Sequence, residues 1–457
     1  MTMENKDIII AQATANGIGA VSIVRLSGQG CIEMVNSQFS KQLSQKKSHT
    51  LHYGTLKSIG GQPIDDCLVS LFRNPTSYTK EDSIEISCHG SPYIVQSIIN
   101  TFLQKGARMA QRGEFTMRAF LNGQLDLTQA EAVADLIAAD TEKSHQIALE
   151  QLRGGYSQKL QELRHELVQL ASLLELELDF GEEDVEFAER SQLKATVSAL
   201  KSEVSKLLSS YEAGNAIKLG LKTVIAGKPN AGKSTLLNAL LQDDRAIVSA
   251  QAGTTRDTIE EELILEGIKY ILTDTAGLHL SEDHIEKVGI EKAKAKLKLA
   301  DLVLYLVDSS ILSDLNNVIS EISDLDYTGK MLMILNKSDI SVISESTLHL
   351  EELEFPYLQC SAMKGSNIKE LKSKMSGLVI SEEITDSAIL TNQRHFDALH
   401  KTKIAIAEVE LGLENGLTGD LLAIHIRDCL YQIGLITGEI STDDLLENIF
   451  SSFCIGK

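Results

Sequence analysis

Ile217–Leu241 reads IKLGLKTVIAGKPNAGKSTLLNALL, in which an apolar run meets a glycine-rich octapeptide and then a helix-like segment. The octapeptide, Gly227–Ser234, has the spacing of a P-loop, whose glycines let backbone N–H groups turn toward phosphates. We expect a strand through Leu219, Leu221, Val224 and Ile225 before it, and a helix after it whose N-terminus attracts anions. This context favours a P-loop over a glycine-rich connection. The candidate phosphate-binding residues are Asn230, Ala231, Gly232, Lys233, Ser234 and Thr235, with the Ser234 hydroxyl also a ligand for Mg²⁺.

A second stretch indicates the base of the nucleotide. Asn336-Lys337-Ser338-Asp339 follows the apolar run Met331–Leu335, so it lies at the C-terminal end of a predicted strand, where open α/β sheets bind ligands. The carboxylate of Asp339 can accept hydrogen bonds from N1–H and the exocyclic amine of guanine, and adenine offers no such pair of donors. We therefore predict GTP. Ser361 and Ala362, after the short predicted strand Tyr357–Gln359, are expected to complete the pocket, together with Asn336 and Lys337.

Two further stretches lie in the order that a nucleotide switch requires. Asp274, Thr275, Ala276 and Gly277 end the predicted strand Tyr270–Thr273, which places Asp274 near the metal and the Gly277 N–H near the γ-phosphate. Thr255, between the P-loop and this stretch, is the expected second hydroxyl on Mg²⁺. Many GTPases continue with a Gln that orients the attacking water, whereas this chain has Leu278, so another group must position that water.

The composition limits the classes of protein to which this chain can belong. A chain of 457 residues with 43% hydrophobic content should form two to four domains. The net charge of −21 argues against a fold that binds nucleic acid over its whole surface, so any RNA contact must be local or supplied by a partner. The six cysteines show no metal-ligand or disulfide spacing, and the sequence has neither a signal pattern nor about 18 consecutive apolar residues. These features predict a cytoplasmic protein that does not span a membrane.

The pattern along the chain predicts a multidomain fold of α/β and α parts. We expect an N-terminal α+β domain over 1–122, a helical domain formed by 123–215 and 381–457, and a Ras-like P-loop G domain over 216–380 inserted between the helical segments. The predicted N-terminal elements are strands at Ile8–Gln12, Ala20–Leu26, Leu51–Ile59, Cys67–Phe72 and Ser83–Ser87 and a helix at Pro92–Gly106. The helical domain is marked by leucines at helical spacing from Leu160 to Leu178.

The motifs together resemble those of the MnmE family, also called TrmE. The P-loop, Gly253–Asp257, Asp274–Leu278 and above all the terminal Phe453-Cys454-Ile455-Gly456-Lys457 carry the resemblance, which covers the whole chain. Outside the G domain, the matching stretches are Gly113–Asn122, Leu125–Ala132 and Ile436–Glu439.

The resemblance implies a tRNA modification GTPase that acts as a homodimer, in a heterotetramer with the flavoprotein MnmG (GidA), on the 5-carbon of the wobble uridine. The product would be an aminomethyl or carboxymethylaminomethyl group, with its carbon supplied by a tetrahydrofolate derivative held by a folate-binding-like N-terminal domain. The matching folate positions are Arg25, Glu81 and Lys457, while Gln124 replaces a Lys usual in the family. The resemblance also gives Cys454 a catalytic role. A GTP switch in ribosome assembly is the alternative.

The resemblance finally implies a substitute for the missing Gln. In this family two G domains meet around potassium, and the matching cation ligands are the side chain of Asn230, the carbonyls of Ser249 and Gln251, and Thr254. Glu286 matches the Glu that orients water, and Arg256 is the competing candidate for neutralising phosphoryl charge.

Overall fold

The structure is a computed structural model in which the chain forms two compact units. It describes residues 7–179, 190–242, 260–274, 297–310, 318–320, 322, 327, 329–340, 355–378 and 388–457. The first unit comprises Met1–Ile137, Leu149–Lys201 and Ala398–Lys457, and the second comprises Ala138–Ala148 and Ser202–Asp397. The domain boundaries expected from the sequence stay a prediction.

The first unit contains a six-stranded sheet within its described residues, in the order β3-β4-β5-β2-β1-β6. Only the β1–β6 pair is parallel in this sheet. One face of this sheet is covered by two helices. Ile84 and Ile86 lie on that face, because they alternate along β5, and both are fully buried in a core that includes residues of the helices. The strands are β1 Ile9–Gln12, β2 Val21–Ser27, β3 Thr50–Lys57, β4 Pro63–Phe72, β5 Ser83–His89 and β6 Arg108–Met109, and the helices are α1 Cys31–Asn36 and α2 Pro92–Leu103.

The five strands predicted for this region are present with shifted ends, and β6 was not predicted. The predicted helix Pro92–Gly106 ends earlier, at Leu103, because the chain turns through Gly106 at a φ of +96° before entering β6. That turn brings β6 alongside β1.

A run of helices follows this sheet along the chain. Their bounds are α3 Glu114–Leu121, α4 Leu127–Ala138, α5 Glu142–Leu152, α6 Gly155–Asp179 and α7 Arg190–Ser209. The predicted leucine stripe is a core stripe, since Leu160, Leu163, Leu167, Leu170 and Leu174 of α6 are each at most 3% exposed.

The second unit contains a six-stranded sheet among the residues that the structure describes, in the order β12-β11-β10-β7-β9-β8. Its strands are parallel except for β8, which pairs antiparallel with β9 at the edge. The strands are β7 Leu221–Gly227, β8 Glu260–Leu265, β9 Ile268–Asp274, β10 Leu302–Asp308, β11 Lys330–Asn336 and β12 Tyr357–Gln359. Its helices include α8 Tyr211–Leu219, α9 Lys233–Leu241 and α10 Ile368–Gly377.

Both faces of this sheet are buried, as near-continuous apolar strands require. Leu304 and Tyr305 are adjacent on β10 and belong to separate cores on opposite faces. One expectation is wrong here: Leu219 is the last residue of α8, not the start of the P-loop strand. Gly220, at a φ of +81°, ends that helix, and the strand begins at Leu221.

The chain ends in three more helices, α11 Gln393–Glu414, α12 Gly419–Thr437 and α13 Asp443–Ser451. Helix α12 packs along α6. Helix α13 has a Thr442 N-cap that accepts from Leu445 N, and its Phe450 shares a core with Leu127 of α4 and with Phe453 beyond the helix. The last residues are therefore anchored to the first unit.

Candidate functional site

The P-loop lies at the C-terminal end of β7 and has the backbone that its glycines were expected to allow. Gly227, Asn230 and Gly232 have φ values of +137°, +64° and +99°. A Cβ at Gly227 would collide with the carbonyl of Leu306, and one at Gly232 with the side chain of Asn336. Glycine is thus required at both positions by backbone angle and by space.

The side chain of the P-loop lysine, Lys233, folds back onto the loop. Its Nζ donates to the carbonyl oxygens of Gly227 at 2.9 Å and Lys228 at 3.0 Å, and Lys233 is only 8% exposed. Ser234 and Thr235 follow it on the first turn of α9 and are exposed. Charge and helix N-terminus therefore converge where an anionic phosphate is expected.

The predicted base-recognition residues come together around Asn336. Its Nδ2 donates to the carbonyl of Ala231 in the P-loop at 2.8 Å, and its Oδ1 accepts from the N–H of Ala362 at 3.0 Å. Ser361 Oγ donates to Asp339 Oδ1 at 2.6 Å, while Asp339 itself is exposed. The Asn336 side chain thus joins the P-loop to the loop of Ala362, and Ser361 fixes the exposed Asp339 carboxylate.

Lys337 forms an ion pair that the sequence reasoning did not anticipate. Its Nζ lies 2.5 Å from Oδ2 of Asp308, the last residue of β10. A signal was available, because Asp308 is a polar residue at the C-terminal end of a buried parallel strand.

The expected Mg²⁺ site lies only partly within the described residues. The backbone of Asp274 ends β9 opposite Ile225, two residues before the P-loop begins at Gly227. The predicted strand Tyr270–Thr273 is therefore present as part of β9, which lies beside β7, and Ser234 lies on the helix that follows the P-loop. Other predicted residues lie outside the described part of the chain, namely Ser249, Gln251, Thr254, Thr255, Arg256, Thr275, Ala276, Gly277, Leu278 and Glu286.

A second constellation surrounds Arg25 on β2 in the first unit. Nε of Arg25 donates to Glu85 Oε1 at 3.0 Å, and Nη2 of Arg25 lies 2.8 Å from the same oxygen. Its Cζ is 5.5 Å from the ring centre of Tyr78 and 5.6 Å from that of Phe115, and Nη1 donates to the carbonyl of Gly456 at 3.3 Å. The arginine is held by an ion pair and two aromatic rings, beside the last residues of the chain.

Those last residues dock on the N-terminal part of the chain. Cys454 O accepts from Gly113 N at 3.3 Å, and Lys457 O accepts from Phe115 N at 3.2 Å. Burial, with Arg25 nearby, lowers the pKa of the Lys457 ammonium. Two predicted folate residues, Arg25 and Lys457, are thereby brought together although they are 432 positions apart in sequence.

The third predicted folate residue, Glu81, belongs to a network of buried charges. Its Oε2 accepts from Ser27 Oγ at 2.8 Å and lies 3.4 Å from Nη1 of Arg118. Arg118 also bonds to Asp7 at 2.5 Å and to the fully buried Glu114 at 3.1 Å. Arg118, which sequence reasoning missed, fixes the Glu81 carboxylate.

Gln124 lines a cavity of about 470 Å³ with the aromatic rings of Phe72 and Tyr78. Tyr78 also contacts Arg25, so this cavity adjoins the Arg25 cluster. The uncharged Gln124 has a cation near it, because Lys80 Nζ donates to the carbonyl of Gly123 at 2.7 Å.

Cys454 differs from the other cysteines. It is exposed, whereas Cys31, Cys67, Cys88, Cys360 and Cys429 are buried. Burial raises the pKa of Cys67, Cys360 and Cys429 to about 12 and that of Cys88 to about 11, and it also raises the pKa of Cys31. Those five thiols stay protonated and unreactive near neutral pH.

The fold and the first of these sites define a class of protein. A P-loop after a parallel strand, joined through Asn336 to a loop that presents Asp339, is the guanine-nucleotide site of a G domain. Family comparisons agree with this class. The family model described as "GTP-binding protein TrmE N-terminus" matches residues 8–124, and that described as "MnmE helical domain" matches residues 127–454.

Curated relatives match over the full length. The chain is 48% identical to a tRNA modification GTPase MnmE of Flavobacterium johnsoniae, with all of both chains covered. It is 46% identical to that of Cytophaga hutchinsonii, covering 99% of this chain and 98% of the relative. It is 44% identical to that of Bacteroides thetaiotaomicron, covering 99% and 100%. The chain belongs to the MnmE (TrmE) family of tRNA modification GTPases and is a GTPase. Within the part of the chain that the structure describes, every helix is too short or too polar to cross a bilayer.

Proposed function

We propose that this chain is a potassium-dependent GTPase that works with the flavoprotein MnmG (GidA) in the cytoplasm. Together they would install an aminomethyl or carboxymethylaminomethyl group on the 5-carbon of the tRNA wobble uridine. The observation that carries the proposal is the docking of Cys454–Lys457 beside Arg25, which keeps Cys454 exposed while the other five cysteines are buried. An exposed thiol is thus available in the tail that docks beside Arg25.

The residues of the first unit fit a tetrahydrofolate derivative. The cavity of about 470 Å³ has the size of a small-molecule site and two aromatic walls, Phe72 and Tyr78. Arg25 and Lys457 would bind carboxylates, and Glu81, fixed by Ser27 and Arg118, would accept hydrogen bonds from ring N–H groups. Gln124 would donate a neutral hydrogen bond. When bound, the folate would supply the one-carbon unit.

The second unit would bind GTP with Mg²⁺ and hydrolyse it. Lys233 and the α9 N-terminus would hold the phosphates, and Ser234, Thr255 and Asp274 would hold Mg²⁺ directly or through water. Asn230, with Ser249, Gln251 and Thr254, would hold K⁺, and Glu286 would orient the water in place of the Gln that Leu278 replaces. We further propose that this G domain is inserted in the helical domain, because the helical family model spans 127–454.

A homodimer through the N-terminal sheet is part of the proposal. The face of the sheet opposite α1 and α2 carries Val21, Leu51 and Tyr53, each 59% exposed, and Leu68, 38% exposed. The strand register places Tyr53 opposite Leu68, and Leu51 lies on the same face of β3, so these three apolar side chains form one patch, while Val21 lies beyond β5 on the same face. A second copy of the chain would cover it. Analytical ultracentrifugation of wild type and Tyr53→Asp should give dimer and monomer, and a monomeric wild type would contradict this arrangement.

Replacement of Cys454 tests the proposed role directly. Cys454→Ser should abolish wobble-uridine modification in a complemented deletion strain, because a serine hydroxyl lacks the acidity and nucleophilicity of a thiol. GTP hydrolysis should stay at the wild-type rate. Cys429→Ser, at a buried thiol, is the matched control and should retain modification. Full modification by the Cys454→Ser protein, measured by mass spectrometry of tRNA nucleosides, would refute the role of the thiol.

A further inference from the structure

Asp308 lies where β10 ends, beside the loop that carries the base-recognition residues. The parallel register of β10 and β11 pairs Asp308 with Asn336, the residue before Lys337. Asp308 Oδ2 lies 2.5 Å from Lys337 Nζ, and the Asp308 side chain is only 10% exposed. The Lys337 ammonium, on a side chain that is 31% exposed, is therefore held in an ion pair with a mostly covered carboxylate at the edge of the nucleotide site.

The carboxylate that holds Lys337 is itself fixed. Asp308 Oδ1 accepts from the Ser310 N–H at 3.0 Å and from Ser310 Oγ at 2.6 Å. Although burial opposes it, hydrogen bonds from Lys337 and Ser310 hold the pKa of Asp308 below its ordinary value. With both oxygens engaged, the carboxylate has one orientation.

The same turn also supports the backbone of the recognition loop. Ser309 donates to the carbonyl of Asn336 from its N–H at 3.0 Å and also from its hydroxyl. Lys337 follows at a φ of +65°, a left-handed conformation that a residue with a side chain adopts at a cost. The turn 308–310 thus holds both the backbone before Lys337 and its ammonium.

We propose that Asp308 is a positioning residue for guanine-nucleotide binding and that it acts by fixing the side chain of Lys337. With its ammonium anchored, the methylene stem of Lys337 is kept in one path and can offer an apolar surface to the face of the base. This inference rests on the guanine site described above and adds a residue to it.

The first test is the release of GDP that carries a fluorescent N-methylanthraniloyl group on its ribose. Asp308→Asn should speed release about tenfold, the effect of losing one charge-assisted hydrogen bond. The KM for GTP should rise in proportion while kcat at saturating GTP is unchanged. Asp301→Asn is the matched control, because Asp301 lies just before the other end of β10 and its carboxylate accepts from Lys222 N at 2.8 Å. Its release rate should stay within about twofold of wild type.

The second test asks whether Asp308 acts through Lys337. In a Lys337→Met background, Asp308→Asn should change release by less than about twofold, because the partner is already gone. An undiminished effect in that background, or an Asp308→Asn protein that releases GDP like wild type, overturns the proposal. If Asp308→Asn does not fold, Asp308→Glu is tested instead. The longer side chain should displace the Lys337 ammonium, so GDP release should again be faster than from wild type. An unchanged rate of GDP release overturns the proposal. Binding of the fluorescent GDP by wild type tests the guanine site separately.

Discussion

At the scale of single residues, the carboxylate of Asp339 has two separate tasks under the proposed function, a bond to Ser361 and the selection of the base. Oδ1 of the exposed Asp339 accepts from Ser361 Oγ, so Oδ2 would be the oxygen offered to a ligand. An amide at this position would keep the bond to Ser361 with its oxygen and present its NH₂ group instead. Xanthine has a carbonyl where guanine has the exocyclic amine, so the amide suits xanthine.

Asp339→Asn should therefore exchange base preference. We expect the affinity for GTP to fall about 100-fold, since two hydrogen bonds to a charged acceptor are lost, and the affinity for XTP to rise. Competition of GTP and XTP for the fluorescent GDP complex measures both. A variant that keeps the wild-type preference for GTP would show that Asp339 does not read the base.

At the scale of elements, sequence reasoning succeeded where periodicity decided the structure. The leucines of α6 and the apolar strands β10 and β11 lie in the core as expected. It failed at Leu219, because apolar residues on both sides of Gly220 suit the end of a helix and the start of a strand equally. The sequence could mark Asp308 as a polar residue at the end of a buried strand, but its ion pair with Lys337 depends on the register of β10 and β11, which the sequence does not give.

The docked tail, Cys454–Lys457, is another contact that local sequence patterns could not predict. Arg25 and Gly456 meet although no local pattern connects them, and only the family resemblance placed Arg25 and Lys457 in one site. The contact needs a glycine, because Gly456 has a φ of +96° and a Cβ there would collide with the carbonyl of Gln12. The strand β1 and the tail are thus tightly apposed.

Gly456→Ala should release the tail. The substitution adds left-handed strain of about 1–2 kcal/mol and a clash with backbone that cannot yield easily. Carboxypeptidase B should then remove Lys457 faster than from wild type, and wobble-uridine modification should fall. Gly106→Ala is the matched control, because Gly106 has the same φ of +96° with open space around it. Equal digestion rates for the two variants would mean that the tail is not held by this contact.

At the scale of the whole molecule, hydrolysis would depend on groups supplied when two G domains meet around a cation. Leu278 cannot orient water, and Glu286 and the K⁺ ligands are the proposed substitutes. GTP hydrolysis should be roughly 10²-fold faster in potassium than in sodium, the range found when one preorganised charge-stabilising group is removed. Glu286→Ala should lose turnover and keep GTP binding, whereas Glu370→Ala, on the exposed side of α10, should behave like wild type. Equal rates in both salts, or an active Glu286→Ala protein, would contradict this mechanism.

The proposed function joins GTP hydrolysis to tRNA modification, and the modification state of the wobble uridine reports on both. Mass spectrometry of tRNA nucleosides should be compared in a strain that lacks this gene and in the same strain complemented with wild type or with Lys233→Ala. We expect wobble uridines without the aminomethyl or carboxymethylaminomethyl group in the deletion strain, full restoration by wild type, and none by Lys233→Ala, whose P-loop lacks its ammonium. Fully modified uridines in the deletion strain, with altered ribosomal subunit profiles instead, would contradict the account and favour a switch in ribosome assembly.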